Sequence, residues 1–154
     1  MLVAGGVALA TGQPWLFPSL GPTAMLQTEQ PTSDDSTPRN TLIGHAVALL
    51  AGYGSLAVFG LRSAGPILSS GVTPARIGAA SMSLAVTAAV LLLLRRPHAP
   101  AGATTLIVSL GLLGGPLSLV VAFASVCLVT LVDWVYNRLS GQPMPVWHHL
   151  PPAR

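Results

Sequence analysis

Lysine is absent from this chain, and only four residues are acidic: Glu29, Asp34, Asp35 and Asp133. All seven basic residues are arginine, and charged residues make up 7% of the 154. A soluble domain carries about 25% charged residues, so this chain has too few to cover a water-facing surface. Its net charge of +3 is scattered along the sequence. Nucleic-acid binding needs a clustered basic face, so nucleic acid is not an expected partner. Cysteine occurs once, as Cys127, which leaves no basis for a disulfide framework or a thiolate metal site. In an apolar run it reads as a small lipid-buried hydrophobe. No nucleophile elbow, phosphate loop or pair of carboxylates is present. His148-His149 sit in a proline-rich tail, where consecutive residues rarely converge on one ion. Neither an enzyme nor a bound metal or cofactor is expected.

What the chain does have is apolar length. Hydrophobic residues make up 51%, and the mean hydropathy is +0.68. Crossing a hydrocarbon core takes about 20 helical residues. Residues 41–61 meet that length between Asn40 and Arg62, and residues 77–94 meet it between Arg76 and Arg95-Arg96. The stretch from 103 to 139 is too long for one crossing. Gly111, Gly114, Gly115 and Pro116 divide it, and proline suits the first turn of a new helix. The division predicts a span from Pro116 to about Asn137, bordered by Trp134, Tyr136 and Arg138, with Asp133 at the interface. Residues 103–111 remain as a half-helix.

Residues 1–12 are apolar but short. They lack the basic leading region of a secretory signal. Either the span continues through Pro14-Trp15-Leu16-Phe17, or the first span is truncated. The polar loop 27–40 holds three of the four acids and is expected in water. The tail 140–154 is rich in proline and expected to be loosely ordered. Arg62, Arg76, Arg138 and Arg154 fall on one side of this layout, which places both termini in the cytoplasm by the positive-inside rule.

The chain thus reads as two hairpins of similar plan, each interrupted by proline and glycine. Gly21-Pro22-Thr23-Ala24 and Gly102-Ala103-Thr104-Thr105 occupy corresponding places, and paired interruptions are the best sequence pointer to a transporter's binding site. A half-helix offers unpaired leading N–H groups and a partial positive charge. Two such termini, after Pro22 and after Pro100, would hold an anion without a buried arginine. Gly21 and Gly102 would admit a close backbone approach, while Ser19, Thr23, Thr104 and Thr105 would supply hydroxyls. His45 and His98 would carry protons or donate to the anion. The competing reading is ordinary Pro/Gly kinks satisfied by neighbouring helices, with the two histidines capping helix ends. Gly44, Ala48 and Gly52, and likewise Ser81, Ala85 and Ala89, recur at the spacing that lets membrane helices pack closely.

Three stretches, "LFPSLGPTAML", "PRNTLIGHAVALLAG" and "PHAPAGATTLIVSLG", resemble the HPP family of small integral membrane proteins. The resemblance covers most of residues 14–139. The family's His-Pro-Pro motif reads His98-Ala99-Pro100 here, with Ala99 in place of the middle proline. The resemblance implies a four-span membrane domain and, because some plant members are associated with nitrite transport in plastids, a transport function. The matching positions include Pro18, Ser19, Gly21, Thr23, Arg39, Asn40, Gly44, His45, His98, Pro100, Gly102 and Thr104.

The resulting expectation is an all-α membrane protein of about four transmembrane helices with two Pro/Gly-interrupted re-entrant or half-helix segments. Residues 1–139 would form the transmembrane domain and residues 140–154 a flexible tail. It would sit in a bacterial cytoplasmic membrane as a homo-oligomer and move a small inorganic anion such as nitrite. The anion would be bound by Ser19, Gly21, Thr23, Arg39, Asn40, His45, His98, Pro100, Gly102 and Thr104. The alternative is a non-transporting scaffold or sensor that uses loop 27–40 to bind a partner.

Overall fold

A computed structural model describes residues 1–113 and 115–147; His148-His149 and the rest of the tail lie outside them. All regular structure among the described residues is helical: α1 (Leu2–Thr11), α2 (Leu20–Glu29), α3 (Pro38–Val58), the short α4 (Ile67–Ser70), α5 (Pro74–Leu94), α6 (Pro100–Ser109) and α7 (Pro116–Leu139). A single 3-10 turn, Asp34–Ser36, joins α2 to α3.

Three helices, α3, α5 and α7, are long and apolar enough to cross a membrane. Each starts with proline in its first turn, where the missing N–H costs nothing. In α3 and α5 a threonine precedes it: Thr37 Oγ1 accepts from the Asn40 amide and Thr73 Oγ1 from the Arg76 amide. These caps move both helix starts three residues upstream of where the apolar runs begin. Helix α7 runs to Leu139, and Arg138 lies over the Trp134 ring at 5.6 Å. Leu84, Val86, Leu92, Leu93 and Leu94 of α5 are exposed, as expected of a lipid-facing surface.

Helix α1 stops at Gly12, which takes a left-handed φ of 65°. It does not continue through residues 14–17, and its ten residues make only about 15 Å of helix.

Helices α2 and α6 are short, ten residues each. Helix α2 packs on α7, and α6 packs on α3 and α5. The small residues of α3 set the second contact. A Cβ on Gly44 would stand 2.8 Å from His98 Cβ, and one on Gly52 would stand 2.7 Å from Val108 Cβ. Ala48, between them, is fully buried. The Ser81–Ala85–Ala89 row of α5 instead faces outward, while Ala79, Ser83, Thr87 and Leu91 face in.

Helix α6 covers only half of α5. Gly102 lies against Leu84, midway along α5, and the carbonyl of Ser109 receives Arg76 Nη1 at 3.1 Å. Arg76 Nη2 also donates to the Gly65 carbonyl at 2.7 Å, so a buried guanidinium at the start of α5 closes the end of α6. That placement suits the negative end of a helix dipole.

The space beyond the start of α6 is taken by the turn before α3. Loop 27–40 is therefore not simply solvated. Ser36 Oγ donates to the Leu26 carbonyl, Asn40 Nδ2 to the Asp34 carbonyl, and Gln27 Nε2 to Thr41 Oγ1. Ser36, Thr37 and Asn40 are buried. The first part of the tail packs against the helices. Met144 is fully buried, Asn137 Nδ2 lies 3.5 Å from its sulfur, and the Arg39 amide donates to the Val146 carbonyl.

Candidate functional site

At the junction of α2, α3 and α6, five side chains form one connected polar group. Ser19 and Thr23 lie four residues apart and share a face of the α2 start. His45 comes from the second turn of α3, His98 from the connection before α6, and Thr104 from the second turn of α6. All five are buried, none more than 3% exposed.

The contacts run in series. Ser19 Oγ lies 2.6 Å from Thr104 Oγ1, and Thr104 Oγ1 lies 2.7 Å from His45 Nδ1. His45 Nε2 lies 3.1 Å from His98 Nε2 and 2.9 Å from Thr23 Oγ1. The two rings meet edge to face, with centroids 4.9 Å apart. His98 Nδ1 ends the series 2.9 Å from the Asp35 carbonyl oxygen, and Thr23 Oγ1 donates to the Ser19 carbonyl at 2.8 Å. Gly44 makes this possible, because any side chain there would strike the His98 ring.

The backbone amides do something different from what two free half-helix ends would do. The Leu20 and Gly21 amides donate to the Phe17 and Pro18 carbonyls, and the Ala101 and Gly102 amides to the His98 and Ala99 carbonyls. These tight turns engage the leading N–H groups of both helices. The polar groups that converge are side chains, not amides. Ser19 occupies the N-cap of α2 without capping it; its hydroxyl is turned to Thr104.

Five of the ten expected residues, Ser19, Thr23, His45, His98 and Thr104, are thus brought together. Pro100 is buried at the first position of α6 and starts that helix. Gly21 is partly exposed beside a broad apolar groove shared with α1 and Phe17. Gly102 faces Leu84, away from the hydroxyls. The Arg39 guanidinium stacks 4.7 Å from the Trp147 ring centre. Asn40 acts one step removed: its amide nitrogen holds the Asp34 carbonyl, next to the Asp35 carbonyl that receives His98.

Outside the cluster, a cavity of about 650 Å³ borders His98. Arg95, Arg96 and Asp35 line its polar part, and Leu84, Leu91 and Leu92 its apolar part. Burial, with the neighbouring Asp34 charge adding to it, raises the Asp35 carboxyl above the ordinary carboxylate range. Thr87, also on this wall, keeps a buried hydroxyl without a hydrogen-bond partner. Among the described residues no three His, Cys, Asp or Glu side chains cluster as metal ligands would.

Two participants lie beyond sequence reasoning. The Asp35 contribution is a main-chain carbonyl, which no residue type announces. Arg76 was legible only as a boundary charge, although it reaches back to bind the end of α6. No curated protein and no solved structure matches the chain. The family model described as HPP, transmembrane region, matches residues 1–145, reaching past the end of α7 to the buried Met144. With three membrane-length helices and that match over nearly its whole length, the chain is an integral membrane protein and belongs to the HPP transmembrane family.

Proposed function

We propose that the protein carries a small inorganic anion, nitrite or one of similar size and charge, across the membrane. The observation that supports this reading is the buried hydroxyl–imidazole series where the starts of α2 and α6 meet. Both helix starts bring partial positive charge to one place, and the series is built from hydroxyls, imidazoles and main-chain carbonyls. Hydroxyl and imidazole donors let an anion shed water without a fixed counter-charge that would trap it. Ser19 would meet the anion, backed by Thr104, His45, His98 and Thr23 in the series; Pro100 and Asn40 would hold the geometry. Arg95 and Arg96 would attract it from one side. Such a protein performs no covalent chemistry and is not an enzyme.

The setting we favour is a bacterial cytoplasmic membrane, with both termini inside and several copies associated, since three long helices enclose little space alone. A scaffold that offers loop 27–40 to a partner is the second reading: Glu29, Gln30, Thr32 and Asp34 are exposed there, while Ser36, Asn40 and the Asp35 carbonyl are engaged within the fold.

The test is reconstitution into liposomes and measurement of nitrite, nitrate and chloride flux. Saturable flux of at least one is expected, with His98→Ala and Thr104→Val reducing it in protein that remains folded. No saturable flux of any of the three overturns the proposal.

A further inference from the structure

The polar series has a direction that its end partners dictate. A carbonyl oxygen only accepts, so His98 Nδ1 carries the proton donated to the Asp35 carbonyl. In a neutral ring the other nitrogen is then bare, and His98 Nε2 accepts from His45 Nε2–H. Thr23 leads to the same assignment independently. Its hydroxyl hydrogen is spent on the Ser19 carbonyl, so it too accepts from His45 Nε2–H. His45 Nδ1 is left bare and accepts from the Thr104 hydroxyl, which in turn accepts from the Ser19 hydroxyl. Along Ser19, Thr104, His45 and His98 every hydrogen points toward Asp35, with Thr23 a side branch that donates to the Ser19 carbonyl, and Ser19 has no hydrogen left to offer a ligand.

One added proton reverses the outer half of this arrangement. An acid HA meeting Ser19 gives its proton to Ser19 Oγ. Ser19 passes its own hydrogen to Thr104 Oγ1, and Thr104 passes its hydrogen to His45 Nδ1. The net change is one proton moved from HA to His45. The charged ring keeps its Nε2–H toward Thr23 and His98 and now donates through Nδ1 to Thr104. Thr104 donates to Ser19, and the hydrogen of the buried Ser19 hydroxyl, no longer held by Thr104, is donated to A⁻. We infer that Ser19, Thr104, His45 and His98 form a single-proton binding site whose occupancy turns Ser19 into an anion donor, so that anion and proton travel together.

The inference rests on the transport reading for its ligand and on hydrogen-bond geometry for its proton. The charges facing the pair are few. Asp35 meets it through its carbonyl, with Asp34 adjacent in the turn, and Arg95 and Arg96 border the cavity beside His98. Helices α2 and α6 present hydroxyls only, and α3 contributes His45 itself. Helix α7 carries Asp133 and Arg138 near its end: the Asp133 carbonyl accepts from Asn137 Nδ2, its Oδ2 is buried without a hydrogen-bond partner, and Arg138 lies over the Trp134 ring.

Two measurements test this. The first is nitrogen-15 NMR of histidine-labelled protein in lipid nanodiscs, titrated over the pH range in which it stays folded. His45 is expected to pass from the Nε2–H form to the doubly protonated ring by gaining its hydrogen at Nδ1, with one proton taken up by the two rings together. In Thr104→Val that transition should shift or vanish. A His45 Nδ1 that stays bare throughout, or two rings that each take a proton independently, overturns the inference whether or not anions move. The second is internal acidification of proteoliposomes during nitrite or nitrate entry, corrected for protein-free vesicles. One proton per anion is expected, and anion entry without acidification overturns the coupling. Absence of any anion entry overturns the transport reading instead, and the NMR titration then decides the proton site.

Discussion

Gly44 and His98 show how much depends on one missing methyl group. A Cβ at Gly44 would sit 2.8 Å from His98 Cβ and 3.0 Å from its ring, inside any normal contact. Gly44→Ala is expected to cost about 1–3 kcal/mol, the usual penalty for overpacking, and to displace the ring from His45. Denaturation in mixed detergent, with the His45 NMR signal as reporter, checks both effects. Ala99 offers the opposite case. Its φ of −57° is already that of proline, and its amide donates to no backbone carbonyl outside the helices. Ala99→Pro should stabilise the protein by about 0.4–1 kcal/mol through the unfolded chain; a lower melting temperature would contradict this. At this scale the sequence was partly readable. Ser19, Thr23, His45, His98 and Thr104 stood out because polar groups in apolar surroundings need partners. Gly21 and Gly102 did not join them, because a glycine's place in a motif does not say which way its backbone faces. Arg39 found an aromatic ring, a choice made by a tail residue far away in sequence.

The elements were legible in kind and less so in extent. Apolar length identified α3, α5 and α7, and the glycine–proline break correctly separated α6 from α7. The helix starts were missed by three residues because Thr37-Pro38 and Thr73-Pro74 are polar, although they are the local chemistry that starts a helix. Nor was there a signal that α6 would be closed at its far end by Arg76. Replacing that arginine with methionine keeps most of the bulk and leaves the Ser109 and Gly65 carbonyls without their donors. The expected loss is about 1.5–3 kcal/mol, the range for bonds from a charged group, with α6 amides exchanging hydrogen faster than those of α3. Unchanged exchange in α6 would show that packing on α3 alone holds it.

For the whole molecule, α2 packs on α7 while α6 packs on α3 and α5, and α1 is far shorter than α5. Association of copies should appear as a mass of two or more chains in native mass spectrometry from nanodiscs; a single chain under conditions that support flux would contradict it. The half-length of α6 has a mechanical consequence as well. Its column is closed at one end by a guanidinium gripping two carbonyls, and at the other by an irregular turn held by several neutral bonds from His98, Asn40, Ser36 and Gln27. Bonds of the first kind resist breaking by about 1.5–3 kcal/mol and neutral ones by about 0.5–1.5 kcal/mol. The two ends of α6 thus differ in what a single replacement can undo: losing Arg76 removes the whole clamp at one end, whereas the turn around Asp35 shares its hold among several side chains.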